Sequence, residues 1–147
     1  MKFVRKCMLI PVLLVWGGIA NAQEHQPSAR GKMHKVVMQL NTADTASWSS
    51  LIGNVKHLQE HWPGKVKIEV VVHGKALTFL VKGKTHLASE IMHLASATVQ
   101  FMACENTMKK YGVTSDMLLD GINTVPSGVS EIILKQEKHW GYLKAGL

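Results

Sequence analysis

The sequence predicts an α/β fold: a mainly parallel sheet with helices on both faces. Two kinds of segment carry that expectation. Short β-branched runs such as 66–72 (VKIEVVV) are bounded by turn residues, as strands are. Other stretches place apolar residues three or four apart, the period of a helix. The two kinds alternate along the chain, and alternation of strand and helix implies right-handed crossovers between parallel strands.

The elements follow in order. Residues 35–40 (KVVMQL) suit a buried strand, and Asn41, Thr42, Ala43 and Asp44 supply turn and helix-capping residues. Residues 45–62 carry Trp48, Leu51, Ile52, Val55, Leu58 and Trp62 at helical spacing, and Pro63-Gly64 stops the helix. A second strand covers 66–72. Residues 76–81 form a short helix ended by Gly83. A longer one spans 85–97 with Leu87, Ile91 and Leu94 on one face. The third strand is 98–103 (TVQFMA). A short helix at 104–111 is closed by Gly112, and 117–119 is a turn. A fourth strand at 122–125 ends at Pro126. Ser127 caps a helix bearing Val129, Ile132 and Ile133, and 142–144 is a last short strand.

The start of the chain reads as an export signal. Lys2, Arg5 and Lys6 precede an apolar run from 7 to 20 that is short for a bilayer span, which needs about 20 apolar residues. Ala20-Asn21-Ala22 is a small-x-small cleavage site. The expected domains are therefore a signal peptide at 1–22, a flexible polar lead-in at 23–34 and one domain at 35–147. Cleavage leaves 14 of the 17 basic residues against 10 acidic ones, so the charge falls from +7 to +4. Scattered charge of that size does not suggest nucleic acid as a partner, and no anchor would hold the cleaved protein in a membrane. A periplasmic location follows from the signal.

Of the two cysteines, Cys7 leaves with the signal peptide and Cys104 remains alone, so no internal disulfide can form. In parallel sheets ligands collect beyond the carboxyl ends of the strands. Here those positions are Asn41, His73, Cys104 and Ser127. Cys104 lies where a strand gives way to a helix, and helix amides there favour a thiolate. The competing reading is a small packing residue, since free cysteine is often buried. Asn41 and Ser127 are also ordinary helix-start residues. His57 and His61 are four apart, a spacing that can hold a metal. They lie opposite the Trp48 stripe with no third ligand, and His86 and His93 share a polar face, so no metal is expected. The chain has no CxxC, HExxH, GxSxG or glycine-rich phosphate loop.

The segments 71–77 (VVHGKAL), 101–108 (FMACENTM), Gly112-Val113 and 125–131 (VPSGVSE) together resemble the DsrE/DsrF-like family, most of all its small single-domain members. The resemblance runs from about residue 35 to 144. It implies a three-layer α/β/α sandwich on a five-stranded sheet, and assembly as a homotrimer or hexamer. It also implies a sulfur-relay role in which a cysteine after the third strand carries sulfane sulfur as a persulfide; Cys104 matches that position. His73 would assist proton transfer, and Asn41, Asn106, Thr107 and Ser127 are the candidate substrate-binding residues.

The expectation is thus a periplasmic sulfur carrier or sulfurtransferase-like protein that needs no cofactor and exchanges sulfur with donor and acceptor proteins. The alternative is a non-catalytic oligomeric binding module in which Cys104 only packs. A thiol redox protein is a weaker option without a resolving cysteine. The helix at 85–97, with Leu87, Ala88, Ile91, Met92, Ala95 and Ala97 around much of its circumference, predicts an assembly interface.

Overall fold

The structure is a computed structural model and describes residues 31–146. The expected signal peptide and most of the lead-in lie outside the described residues. Strands β1 (His34–Leu40), β2 (Val66–Val72), β3 (Val99–Cys104), β4 (Asn123–Val125) and β5 (Gly141–Ala145) form one sheet in the order β4-β3-β2-β1-β5. Every pairing is parallel. The helices are α1 (Thr45–His61), α2 (Ala88–Ala97), α3 (Glu105–Tyr111) and α4 (Gly128–Glu137), with 3₁₀ segments at Gly74–Leu80 and Ser115–Met117.

Local chemistry sets these boundaries. Asp44, and not Asn41, caps α1: its carboxylate accepts from the amides of Ala46 and Ser47 at 3.2 and 2.9 Å. The stripe Trp48, Leu51, Ile52 and Val55 is buried against the sheet, each such side chain stabilising the fold by about 1.5–3 kcal/mol. The helix expected at 76–81 is a 3₁₀ segment that starts at Gly74, and the helix expected at 85–97 begins at Ala88. The lead-in ends sooner than expected, because His34 already pairs with Val66 in the sheet. Cys104 closes β3 and stands as the N-cap of α3 instead of opening the helix. Gly112 ends α3 in the left-handed region at φ 64°, where glycine carries no Cβ penalty.

The two sides of the sheet differ. One side carries a large apolar core of Val36, Met38, Leu40, Ile68, Val70, Val72, Phe101 and Ala103, covered by α1, α2 and the 3₁₀ segment. The apolar cluster on the other side is small: Val37, Val71 and Ile132, with Met102 and Trp140 against it. Alternation along β2 turns Lys67, Glu69, Val71 and His73 toward this thinner side, and α4 lies across it. Among the residues of α4, only Gly128 and Ile132 are buried.

The expected interface helix α2 spends its apolar residues inside: Leu87, Ile91 and Leu94 are buried, and Ala88, Met92 and Ala95 pack on the core. The larger exposed apolar side chains lie elsewhere. Val129, Ile133 and Leu134 are on α4, Tyr142 and Leu143 on β5, and Tyr111 and Met117 near α3. No helix among the described residues is long and apolar enough to cross a membrane.

Candidate functional site

The carboxyl ends of β2 and β3 bring His73 and Cys104 together on the thin side of the sheet, where the start of α4 closes over them. A Cβ built on Gly128 would meet Val71 Cγ1 at 3.1 Å, His73 Cβ at 3.2 Å and Cys104 Cβ at 3.3 Å. Only a residue without a side chain seats α4 this deeply. The seating lets the Gly128 amide donate to Cys104 Sγ at 3.2 Å.

The start of α3 acts on the same sulfur more loosely. Cys104 makes no side-chain cap bond to the helix and the Asn106 amide donates to the Pro126 carbonyl at 3.4 Å, but the Thr107 hydroxyl and the amides of Thr107 and Asn106 lie near enough to lower the thiol pKa. The Thr107 hydroxyl is itself oriented, because Oγ1 accepts from the Gly74 amide at 3.1 Å. Burial is the largest single influence on Cys104 and pushes its pKa up, since only 5% of the residue is exposed. Together the Thr107 hydroxyl and the amides of Gly128, Thr107 and Asn106 outweigh it, and the thiol lies below its ordinary value.

His73 sits in a relay of a different kind. Tyr142 donates its hydroxyl to Gln39 Oε1. The amide nitrogen of Gln39 therefore faces His73 Nε2, at 2.8 Å, and donates to it. That assigns the ring hydrogen to Nδ1. A protonated ring would set an N–H against the amide N–H of Gln39. Burial holds the His73 pKa below the usual imidazole value as well. The ring is neutral at pH 7, so the thiolate is stabilised by dipoles and not by an adjacent imidazolium.

The other expected site residues divide. Thr107 and Asn106 lie beside the sulfur at the start of α3 and lower its pKa, Asn106 through a backbone amide that donates to the Pro126 carbonyl at 3.4 Å. Ser127 is occupied as the N-cap of α4, its hydroxyl accepting from the Ser130 amide at 3.3 Å. Asn41 lies past the end of β1, where its carbonyl stands 3.6 Å from the position of a Gly74 Cβ, and its side chain makes no hydrogen bond to Cys104. His57, His61, His86 and His93 are exposed, and no group of three or more potential metal ligands forms among the described residues. A cavity of about 560 Å³ shares Gly74 with the site, lined also by Lys75, Leu77, Val81, Tyr111 and Met117, and Cys104 is not in its wall.

Gly128, Gln39 and Tyr142 are the participants that the sequence reading did not assign. Two of them leave a trace in the sequence. Gly128 opens a helix where a better helix former would be expected, and Gln39 is the polar member of the run KVVMQL.

The fold has known counterparts. The sequence model of the DsrE/DsrF-like family matches residues 19–145, and the chain belongs to that family. Among solved structures, the protein of unknown function MTH1491 from Methanobacterium thermoautotrophicum is 31% identical, with a TM-score of 0.72 over 76% of this chain and 98% of that one. The ychN protein from E. coli shares the fold at 15% identity and a TM-score of 0.59, covering 77% of this chain and 98% of its own. A conserved protein of unknown function from Bacteroides thetaiotaomicron, BT1422, does so at 15% identity and 0.61, covering 75% and 93%. No curated protein matches the chain.

Proposed function

We propose that this protein is a periplasmic sulfur carrier that holds sulfane sulfur as a persulfide on Cys104. The observation that carries the reading is the Gly128 amide donating to Cys104 Sγ at 3.2 Å, beside the Thr107 hydroxyl and the first turn of α3, which also lower the thiol pKa. Such a cradle favours a thiolate, the reactive form of cysteine. Membership of a family associated with sulfur relay supports the same reading.

The chemistry is a thiol exchange without net oxidation. Cys104 thiolate attacks the outer sulfur of a donor persulfide or polysulfide. A new S–S bond forms to Cys104, the donor's S–S bond breaks, and the donor leaves as a thiolate with the bonding pair. In the return step an acceptor thiolate attacks the outer sulfur on Cys104 and releases Cys104 as a thiolate. The donors around Cys104 Sγ stabilise it as the attacking and as the leaving group. His73, neutral with its hydrogen on Nδ1, is a hydrogen-bond donor for the bound outer sulfur. The expected export signal and cleavage after Ala22 support the periplasmic location.

One intact-mass measurement tests both halves. Protein recovered from the periplasm of a bacterial host should have the mass of a chain beginning at Gln23. After polysulfide treatment it should gain one sulfur, and Cys104→Ser should gain none. Equal sulfur uptake by both proteins would remove Cys104 from the role.

The low exposure of Cys104 favours a second reading, a non-catalytic binding module of the same fold. Under it the thiol only packs, and the cavity of about 560 Å³ at Gly74 is the ligand site. A Cys104 that resists alkylation in folded protein but reacts in denaturant would select this reading.

A further inference from the structure

Helix α4 touches the sheet along one stripe, and the stripe has three points. Gly128, Ile132 and Lys135 follow at helical spacing and run down the row His73, Val71, Glu69 of β2. Gly128 meets Val71, His73 and Cys104. Ile132 enters the small cluster with Val37 and Val71. Lys135 Nζ reaches Glu69 Oε2. One apolar side chain is thus the whole hydrophobic anchor that α4 itself provides, and the ionic contact is the anchor at the end opposite Cys104.

The ionic anchor is well built. Glu69 is fully buried, and its Oε1 has no hydrogen-bond partner among the described residues, so the Lys135 contact is its main compensation. Lys135 is held in turn by Glu131 at 3.4 Å and stacks 4.6 Å from the centroid of the Trp140 ring. A buried acid left without its cation is costly, which gives the helix a strong reason to stay where Lys135 can reach.

We propose that Glu69 and Lys135 are positioning residues for Cys104: by fixing the far end of α4 they hold the Gly128 amide on the sulfur and so set the acidity of the thiol. The inference rests on the reading of Cys104 as an acidic thiol, and not on the identity of what that thiol carries. Neither residue touches the sulfur, and the rigid helix between Gly128 and Lys135 transmits the constraint.

The test is the rate of Cys104 alkylation by iodoacetamide against pH, followed by intact mass, in the wild type, Glu69→Gln, Lys135→Met and Lys135→Arg. The midpoint of the profile reports acidity and its alkaline plateau reports access. Glu69→Gln and Lys135→Met should raise the midpoint by about half to one pH unit, which slows alkylation at pH 7 about three- to tenfold. Lys135→Arg, which keeps the cation, should keep the wild-type midpoint. If either single variant fails to fold, the double variant Glu69→Gln/Lys135→Met, which buries no lone charge, is read in its place with the same expected shift. A lowered wild-type midpoint that these variants leave unmoved, even with a higher plateau, overturns the anchor and spares the acidic-thiol reading. An ordinary wild-type midpoint overturns both.

Discussion

The amide nitrogen of Gly128 stands 3.2 Å from the sulfur of Cys104, across 24 residues of chain, and the absence of a side chain on Gly128 is what permits it. The two residues come from different elements: one ends β3 and the other opens α4. The acidity of the thiol is therefore a property of how a helix is seated on a sheet, as well as of the short helix that follows the cysteine.

Gly128→Ala tests that seating directly. The new methyl would press on Val71, His73 and Cys104 at 3.1 to 3.3 Å, and two of those contacts are Cβ atoms fixed to the backbone at the ends of β2 and β3. The helix must lift by a few tenths of an ångström. Overpacking of this kind costs about 1–3 kcal/mol, to be read by urea unfolding. The alkylation midpoint of Cys104 should rise at the same time. An Ala variant with unchanged stability and unchanged midpoint would show that the contact is looser than these distances require.

A second expectation concerns pH and stability. The folded-state pKa of Cys104 is lowered, whereas the unfolded chain keeps the ordinary value of about 8.5. The folded state therefore releases its proton first, and the resulting stabilisation is complete only above the unfolded value. It disappears as pH falls through the folded value. The stability of the wild type relative to Cys104→Ser should increase as pH rises through the window that ends near 8.5, and be flat below it. Chemical denaturation of both proteins at several pH values checks the sign. A difference constant across that window would mean an unshifted thiol.

Assembly is the third. The buried stripe of α4 leaves Val129 and Ile133, four residues apart, on its outer side at 55% and 50% exposure. That outer face, not α2, is where a homotrimer or hexamer would find apolar surface. Light scattering at micromolar concentration should give a multiple of the protomer mass, and Ile133→Asp should reduce it toward a monomer while leaving the fold intact by circular dichroism. A monomeric wild type would rule out the assembly, and an Ile133→Asp protein of unchanged mass would move the interface elsewhere.

Much of the fold is legible in the sequence because the thick side of the sheet is encoded by periodicity alone. The α1 stripe and the β-branched run of β2 announce themselves, and Cys104 follows from the rule that places ligands at strand ends. The thin side is harder to read. Its members are single polar residues set into apolar runs, Gln39 in β1 and Glu69 in β2, and their partners Tyr142 and Lys135 lie 103 and 66 residues further on. No local pattern links such pairs. The apolar circumference of α2 is read less easily for a related reason: the sheet and its neighbours together absorb much of the surface that the helix alone would expose.

The relay from Tyr142 through Gln39 to His73 has a consequence for biosynthesis. Tyr142 lies in β5, which pairs with β1 and closes one edge of the sheet. Gln39 and Tyr142 orient the imidazole of His73. A chain still emerging from the ribosome already contains its cysteine but lacks the strand that completes the relay. In such an unfinished chain Gln39 is not yet oriented by Tyr142, and His73 lacks the partner that fixes its ring.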